Sequence, residues 1–301
     1  MNKISVVINT RNEEENLPRC LSSVSFADEI VVVDMQSTDK TVEIAKSHGA
    51  KVYTHQETGY VEPARNFAIE KAQHPWVLIV DADEEIPPAL PGKLREIVLK
   101  DSITHVFLPR KNIIFGKWMK HTGWWPDYNI RFFKKGKVTW SDEIHSVPQS
   151  SGKQITLEGE EFALIHHHYT SIDQFLTRMQ TYTSKEAEKL LFRKEKPSPQ
   201  RLIQEPVNEF LRRFFVHEGY KDGFHGLALS LLMAFYELVV WLKLWEKEGF
   251  PEKEGGRGFL SSFDIQMKKA ASHFSYWNLT THMRHQDPIK RTFSRLKRKL
   301  L

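Results

Sequence analysis

The apolar positions along this chain switch between two periods. Short unbroken runs lie at Lys3–Asn9, Ala27–Asp34, Ala50–Tyr53 and Trp76–Asp81, and their length and Val/Ile content predict strands buried on both faces. Between the runs, apolar residues recur at helical spacing. Leu17, Cys20, Leu21 and Val24 form one set, Val42, Ile44 and Ala45 a second, and Ala64, Phe67, Ala68 and Ile69 a third within Tyr60–Ala72. Strand and helix repeated in this way predict a parallel sheet covered by helices and joined by right-handed crossovers. Helix starts are also legible. Asn12 with Glu15 three residues later has capping-box form, and Ser37–Thr41 is a capping segment for the second helix.

The pattern changes after residue 100. Ile103–Val138 is strand-like and aromatic, and Trp118, Trp124 and Trp125 near glycines suit either a sugar-stacking surface or ordinary core. Helical spacing returns at 171–192, with Phe175, Leu176, Met179, Tyr182 and Ala187 inward, and again at Gln204–Val216, after a linker at Lys194–Pro199. Leu227–Leu242 is the longest apolar run. It holds about sixteen residues and includes Glu237, against the roughly 20 that a bilayer crossing needs, so a buried or in-plane helix is expected. Gly255–Gly258 reads as a flexible break.

Composition narrows the class. The 301 residues are 40% hydrophobic, enough for a sizeable core. Cys20 is the one cysteine, which fits a reducing compartment, and the start of the chain has no signal-peptide pattern. Charge is uneven: residues 1–150 carry 19 Lys/Arg and 20 Asp/Glu, whereas 151–301 carry 24 and 18. The first half is not a general polyanion binder. The last stretch, Arg284–Leu301, interleaves seven Lys/Arg with Phe293, Leu296, Leu300 and Leu301, a pattern suited to an anionic leaflet. No nucleic-acid readout motif accompanies that charge, so nucleic acid is not expected as a partner.

Ligands of such sheets bind at the carboxyl ends of the strands. There the sequence places Thr10 and Arg11, Asp34, and the acidic run Asp81-Ala82-Asp83-Glu84-Glu85. Unpaired burial of these carboxylates would cost several kcal/mol each, roughly, so they are expected at the strand's solvent end. Strand alternation would put Asp81 and Asp83 on one face, as oxygen ligands for a hydrated divalent cation. No glycine-rich dinucleotide fingerprint or P-loop follows any strand. Ile165-His166-His167-His168-Tyr169 lacks a second ligand pair to complete a zinc tetrahedron; His166 or His168 near an active-site floor is the expectation.

Four segments in order carry a more specific signal. They are Val6–Glu14, Glu29–Thr41, Ala64-Arg65-Asn66 and Val80–Glu84. Together they closely resemble the family 2 glycosyltransferases of GT-A fold, and within them the bacterial lipopolysaccharide-core glucosyltransferases. Tyr128–Gly136 resembles the family's Arg-Leu-Phe-Arg-x-Gly segment. The resemblance implies an α/β fold with a Rossmann-like mixed sheet flanked by helices and a C-terminal helical extension. The catalytic domain would span 1–170, with a nucleotide-sugar half at 1–100 and an acceptor half at 101–170. Residues 171–301 would form the helical extension with its basic, membrane-associating tail.

The resemblance also assigns roles. Thr10, Arg11, Glu13, Asp34, Arg65, Asp81 and Ala82 would bind the donor, with Asp34 at the nucleobase and Arg65 at the diphosphate. Asp83 would ligate Mg²⁺ or Mn²⁺, with His168 as a second metal candidate. Relatives often carry His-Glu where this chain has His145-Ser146. The base for an inverting transfer is therefore sought in Asp142 or Glu143, with His145 positioning. The implied partners are a nucleotide-diphosphate sugar, with a UDP-sugar favoured, a glycan or lipid-linked acceptor of cell-envelope polysaccharide synthesis, and the inner-membrane surface. The implied location is cytoplasmic and peripheral to that membrane. A nucleotidyltransferase acting on sugar phosphates would share the pocket, but its basic glycine-rich loop is missing; Thr10–Glu13 has no glycine and no net positive charge. An inactive membrane-bound scaffold is disfavoured by Asp34, Arg65, Asp81 and Asp83 occurring together.

Overall fold

A computed structural model describes residues 3–56, 62–100, 102–140, 148–252 and 255–284. Asp142, Glu143 and His145, the start of the third predicted helix, and the basic tail beyond Arg284 lie outside these residues. The chain divides into two compact units, Met1–Ile114 with Trp125–His168, and Phe115–Trp124 with Tyr169–Leu301.

The strands in chain order are β1 (Ile4–Thr10), β2 (Glu29–Asp34), β3 (Lys51–Thr54), β4 (Trp76–Asp81), β5 (Glu84–Glu85), β6 (His105–Ile114), β7 (Lys117–Trp118), β8 (Asp127–Lys134), β9 (Val138–Thr139), β10 (Gln149–Ser150), β11 (Gln154–Thr156) and β12 (Leu164–Tyr169). The main sheet of the first unit runs β3-β2-β1-β4-β8-β6-β12-β5. Its first four strands are parallel, as crossover helices require. β8 then pairs antiparallel with both β4 and β6, making the sheet mixed.

Alternation along β1 splits the core into two layers. Ile4, Val6 and Ile8 pack with Leu17, Cys20 and Leu21 of helix α1 (Leu17–Ser23), Ala45 of α2 (Thr41–Ser47), and Leu90, Leu94 and Val98 of α4 (Leu90–Lys100). Val7 faces the other way, among Ala64, Ala68 and Ile69 of α3 (Glu62–Lys71), Val77 and Ile79. Each Val, Leu or Ile among them, fully buried, contributes about 1.5–3 kcal/mol.

The capping-box expectation fails. Helix α1 starts at Leu17, and Asn12 sits at φ +53° with its Oδ1 accepting from Thr38 N at 2.8 Å. Asn12 therefore ties the β1 loop to the β2 loop. Side chains of one loop cap the other: Glu13 N donates to Thr41 Oγ1 and Glu14 N to Asp39 Oδ2. This cross-bracing is a tertiary contact that local spacing does not encode.

The second unit contains helices α5 (Ile172–Phe192), α6 (Pro199–Leu211), α7 (Phe224–Lys247) and α8 (Arg257–Arg284), with a π-helical turn at Arg212–Val216. Ser171 and Ser198 cap α5 and α6, their side chains accepting from Gln174 N and Arg201 N. Helix α7 has 24 residues, well beyond the apolar run read from sequence, because polar ends extend it without breaking it. Helix α8, 28 residues long, has no counterpart in the expectations from sequence. The Gly219–Phe224 loop folds against the start of α7 so closely that a Cβ at Gly226 would lie 1.8 Å from Gly219 O. Buried Asp222 anchors this loop by accepting from His121 N, His121 Nδ1 and Thr122 Oγ1. Trp124 lies 5.4 Å from the Arg213 guanidinium and edge-on to Tyr169, so it is packed within this unit.

Candidate active site

The site is built at the carboxyl edge of the parallel strands. Strand register pairs Thr10 with Asp34 and Asn9 with Asp81. Thr10 and Asp34 thus project side by side from β1 and β2, while Asp81 projects on the face of Asn9, whose Nδ2 donates to Ala64 O of α3. Thr10 is buried and its Oγ1 has no hydrogen-bond partner among the described residues. Asp34 is buried too, and among the described residues its side-chain oxygens accept only long contacts, 3.2 and 3.3 Å, from Ser37 N. A buried hydroxyl without a partner beside a weakly engaged carboxylate is an arrangement that a ligand's polar edge would complete. Arg11 is exposed and Glu13 half-buried on the loop after β1. Ala82 is buried in the apolar core, so only its backbone could meet a ligand.

The acidic run departs from two expectations. Strand β4 ends at Asp81, and Ala82-Asp83 is a turn, so strand alternation does not set where Asp83 points. Nor do all its carboxylates sit in solvent: Glu84 is 0% exposed. Its burial is possible because Arg131, 3% exposed, donates from Nη2 to Glu84 Oε1 at 2.8 Å and to Asp81 Oδ2 at 2.6 Å. Asp81 N also donates to Glu84 Oε2 at 2.9 Å, and Arg110 lies 3.6 Å from Glu84 Oε1. Arg65 Nη2 holds the other Asp81 oxygen at 3.0 Å. Burial alone would raise the Asp81 carboxyl, but the Arg131 and Arg65 charges outweigh it and keep it well below the ordinary carboxylate range. Burial pushes Glu84 upward, with Arg131 opposing it and the Asp81 charge adding to it. Asp127 is half-buried; burial would raise it, but Arg110 at 2.6 Å outweighs that and lowers it.

Asp83 faces a different partner. Its Oδ2 lies 3.5 Å from His166 Nε2. The His166 ring is oriented from behind: its Nδ1 is 2.6 Å from Asn112 Oδ1, and Asn112 Nδ2 donates to Asp127 Oδ2 at 3.3 Å. Because the Asn112 amide must turn its NH₂ to the carboxylate, Nδ1 of His166 carries the proton toward Asn112 Oδ1. Nε2 is therefore the ring nitrogen that faces Asp83. His168 Nδ1 lies 3.3 Å from the same Nε2, so His168 and Asp83 both approach this one nitrogen. His167 points away and meets Glu85 Oε1 at 2.5 Å. A carboxylate oxygen and the nitrogen of a neutral imidazole are both ligand types for a divalent cation. No group of three or more His, Cys, Asp or Glu among the described residues is arranged to hold a metal. Two ligands nevertheless suffice for a cation that takes its remaining ligands from water and substrate phosphates.

Arg131, Glu84, Arg110, Asn112 and Asp127 carry no assignment from sequence. Arg131 stands in the Tyr128–Gly136 segment quoted above, which was a signal of position without a role. The others lack any sequence signal, because their partners are 15 to 54 residues away along the chain.

The chain matches the family described as glycosyl transferase family 2 over residues 5–151. An uncharacterized glycosyltransferase of Rickettsia typhi is 33% identical over 257 residues, covering 82% of this chain and 88% of the relative. The lipopolysaccharide core biosynthesis glycosyltransferase LpsC of Rhizobium meliloti is 26% identical over 259 residues, covering 81% and 92%. Among solved structures, S. aureus TarS 1-349 is similar at 16% identity with a TM-score of 0.44, covering 82% of this chain and 92% of that one. This chain belongs to glycosyltransferase family 2, and it is a glycosyltransferase whose mixed sheet and flanking helices have the GT-A architecture.

Proposed function

We propose that this enzyme transfers a sugar, with inversion, from a UDP-sugar or related nucleotide-diphosphate donor to a hydroxyl of a glycan or lipid-linked acceptor in cell-envelope polysaccharide synthesis. The observation that carries the reading is the grouping at one sheet edge of an unpartnered Thr10 hydroxyl, the weakly engaged Asp34 and the Asp83–His166 pair. The similarity to LpsC over most of both chains supports the envelope acceptor. Thr10 and Asp34 would bind the nucleobase edge and ribose, and Asp34 would accept from a ring N–H. Arg65 would release part of its hold on Asp81 to meet the diphosphate, since a guanidinium suits phosphate oxygens. Asp83 and His166 would hold Mg²⁺ or Mn²⁺, with His168, whose Nδ1 lies 3.3 Å from the same His166 Nε2, as the further candidate ligand. When bound, the cation would offset the charge of the departing nucleoside diphosphate. Asp142 or Glu143 would take the proton of the acceptor hydroxyl. The enzyme would act at the cytoplasmic face of the membrane.

The test is a screen of nucleotide sugars for transfer and slow hydrolysis with Mn²⁺ present, repeated with Asp83→Ala and with each amide of Asp142 and Glu143. The expected outcome is one nucleotide class turned over, loss of turnover in Asp83→Ala with melting unchanged, and a fall of roughly 10²-fold or more in one amide variant with donor binding intact. Full turnover by Asp83→Ala or in excess chelator would remove the metal from the reading. Both amide variants at the wild-type rate would move the base elsewhere.

A further inference from the structure

We propose that α7 docks in-plane on a leaflet of anionic lipid, through an apolar stripe that ends in an apolar cavity. Phe224, Leu231, Phe235 and Leu242 are 82%, 54%, 46% and 38% exposed. Their spacing of 7, 4 and 7 residues puts them within about 40° of one another around the helix, along about 27 Å of its length. The opposite face is spoken for: Leu229, Ser230, Val240, Trp241 and Leu244 are buried. Glu237 is also on that side, its carboxyl raised first by burial and then by the carboxylates of α6 and α5. The helix is long and apolar enough to cross a membrane, but only 28% of its most apolar stretch is buried, and one side packs on α5 and α6. A helix covered by protein on one side and bare on the other fits the plane of an interface, not a crossing.

Leu242 also lines a cavity of about 450 Å³ with Leu202, Trp245, Phe250, Pro251 and Phe259. Its walls are almost wholly apolar, and Phe250 and Phe259 are themselves exposed at its mouth. The chemistry suits an alkyl chain projecting from the same leaflet.

Charge names the occupant. Residues 151–283 carry 17 Lys/Arg and 17 Asp/Glu, so the whole excess of six falls in 284–301. That segment departs from Arg284, whose Nη1 contacts Glu218 Oε1 at 3.1 Å, six residues before Phe224. The basic sequence thus starts at one end of the apolar stripe. A basic sequence joined to the chain at one end of an exposed apolar face matches anionic headgroups above acyl chains, each basic residue near the surface adding its share. A second copy of the chain would bring the same positive charge and be repelled.

The experiment is flotation of the full chain with phosphatidylglycerol/phosphatidylcholine vesicles and with pure phosphatidylcholine vesicles, at low and high salt. It is repeated with Leu231→Glu/Phe235→Glu and with a chain ending at Arg284. The full chain is expected to float with the anionic vesicles at low salt. The double variant should partition at least ~10-fold less with its melting temperature and nucleotide binding unchanged, because both positions are exposed. The shortened chain should lose its preference for anionic over neutral lipid. Equal flotation of the double variant, or no flotation of the full chain at low salt, overturns the proposal. Stronger flotation of the shortened chain overturns it in favour of the tail covering the stripe. A dimer in light scattering that the double variant turns into a monomer overturns it in favour of a second copy.

Discussion

Arg131 is the residue whose removal most directly tests how the site is held together. Its guanidinium lies between Asp81 and Glu84 with almost no exposure, and it touches both. Removing one partner of a buried ion pair costs about 3–5 kcal/mol, because the other charge stays buried. Here the remaining charges are not abandoned: Asp81 keeps Arg65 at 3.0 Å, and Glu84 keeps the Asp81 amide at 2.9 Å and Arg110 at 3.6 Å. We therefore expect Arg131→Met to lose about 3 kcal/mol at pH 8, the lower end of that range. The pH dependence follows from Glu84, whose carboxyl is raised by burial and rises further without Arg131. An acid with a raised folded pKa binds its proton more tightly folded than unfolded. Its stabilisation is complete below the unfolded pKa and is lost as pH rises through the folded one. The loss in Arg131→Met should accordingly be smaller at pH 5 than at pH 8. Adding Glu84→Gln should restore about 1–2 kcal/mol at pH 8 by removing the orphaned charge. Urea unfolding followed by circular dichroism at both pH values measures all three effects. A loss under about 1 kcal/mol, a larger loss at pH 5, or a double variant no more stable than the single one would refute the reasoning.

Three other outcomes are expected. Asp34→Ala should weaken nucleoside-diphosphate binding by calorimetry more than it slows transfer at saturating donor; unchanged affinity would take Asp34 out of the pocket. His166→Ala and Asn112→Leu should each weaken Mn²⁺ binding about 10-fold or more, measured by electron paramagnetic resonance, since Asn112 sets which ring nitrogen faces Asp83. Wild-type affinity in Asn112→Leu alone would break that link while leaving His166 as a ligand. Glu237, half-buried, has its pKa raised to about 7, first by burial and then by Glu209, Glu205 and Glu186, against the weaker pull of Arg212. Its folded pKa lies above the unfolded one, so stability should fall as pH rises from about 4.5 to 7. Glu237→Gln should flatten that slope and add about 1–2 kcal/mol at pH 8 after allowing for partial solvent screening; an unchanged slope in thermal melts would exclude Glu237 as its source.

Local periodicity was enough for the first half of the sheet. The four apolar runs became β1–β4, in the order that crossover helices impose, because burial on both faces demands continuous apolar sequence. The same rule put Thr10, Asp34 and Asp81 at strand ends, where register then brought them to one edge. Motif order sufficed for the family. Sequence could not say which carboxylates are solvated. Glu84 reads like any surface acid after a strand, and only the return of β8 beside β4 delivers Arg131 to neutralise it. Nor could it choose among three consecutive histidines: β12 alternates them, and Asn112 on the sheet's β6 strand holds His166 toward Asp83. The apolar run of α7 was plain from sequence, but which side of it stays bare depends on where α5 and α6 pack. Short-range pattern determines elements, since it is written in neighbouring residues. Charge pairing and exposure are settled by residues far apart in the chain, and only the tertiary fold decides which of them meet.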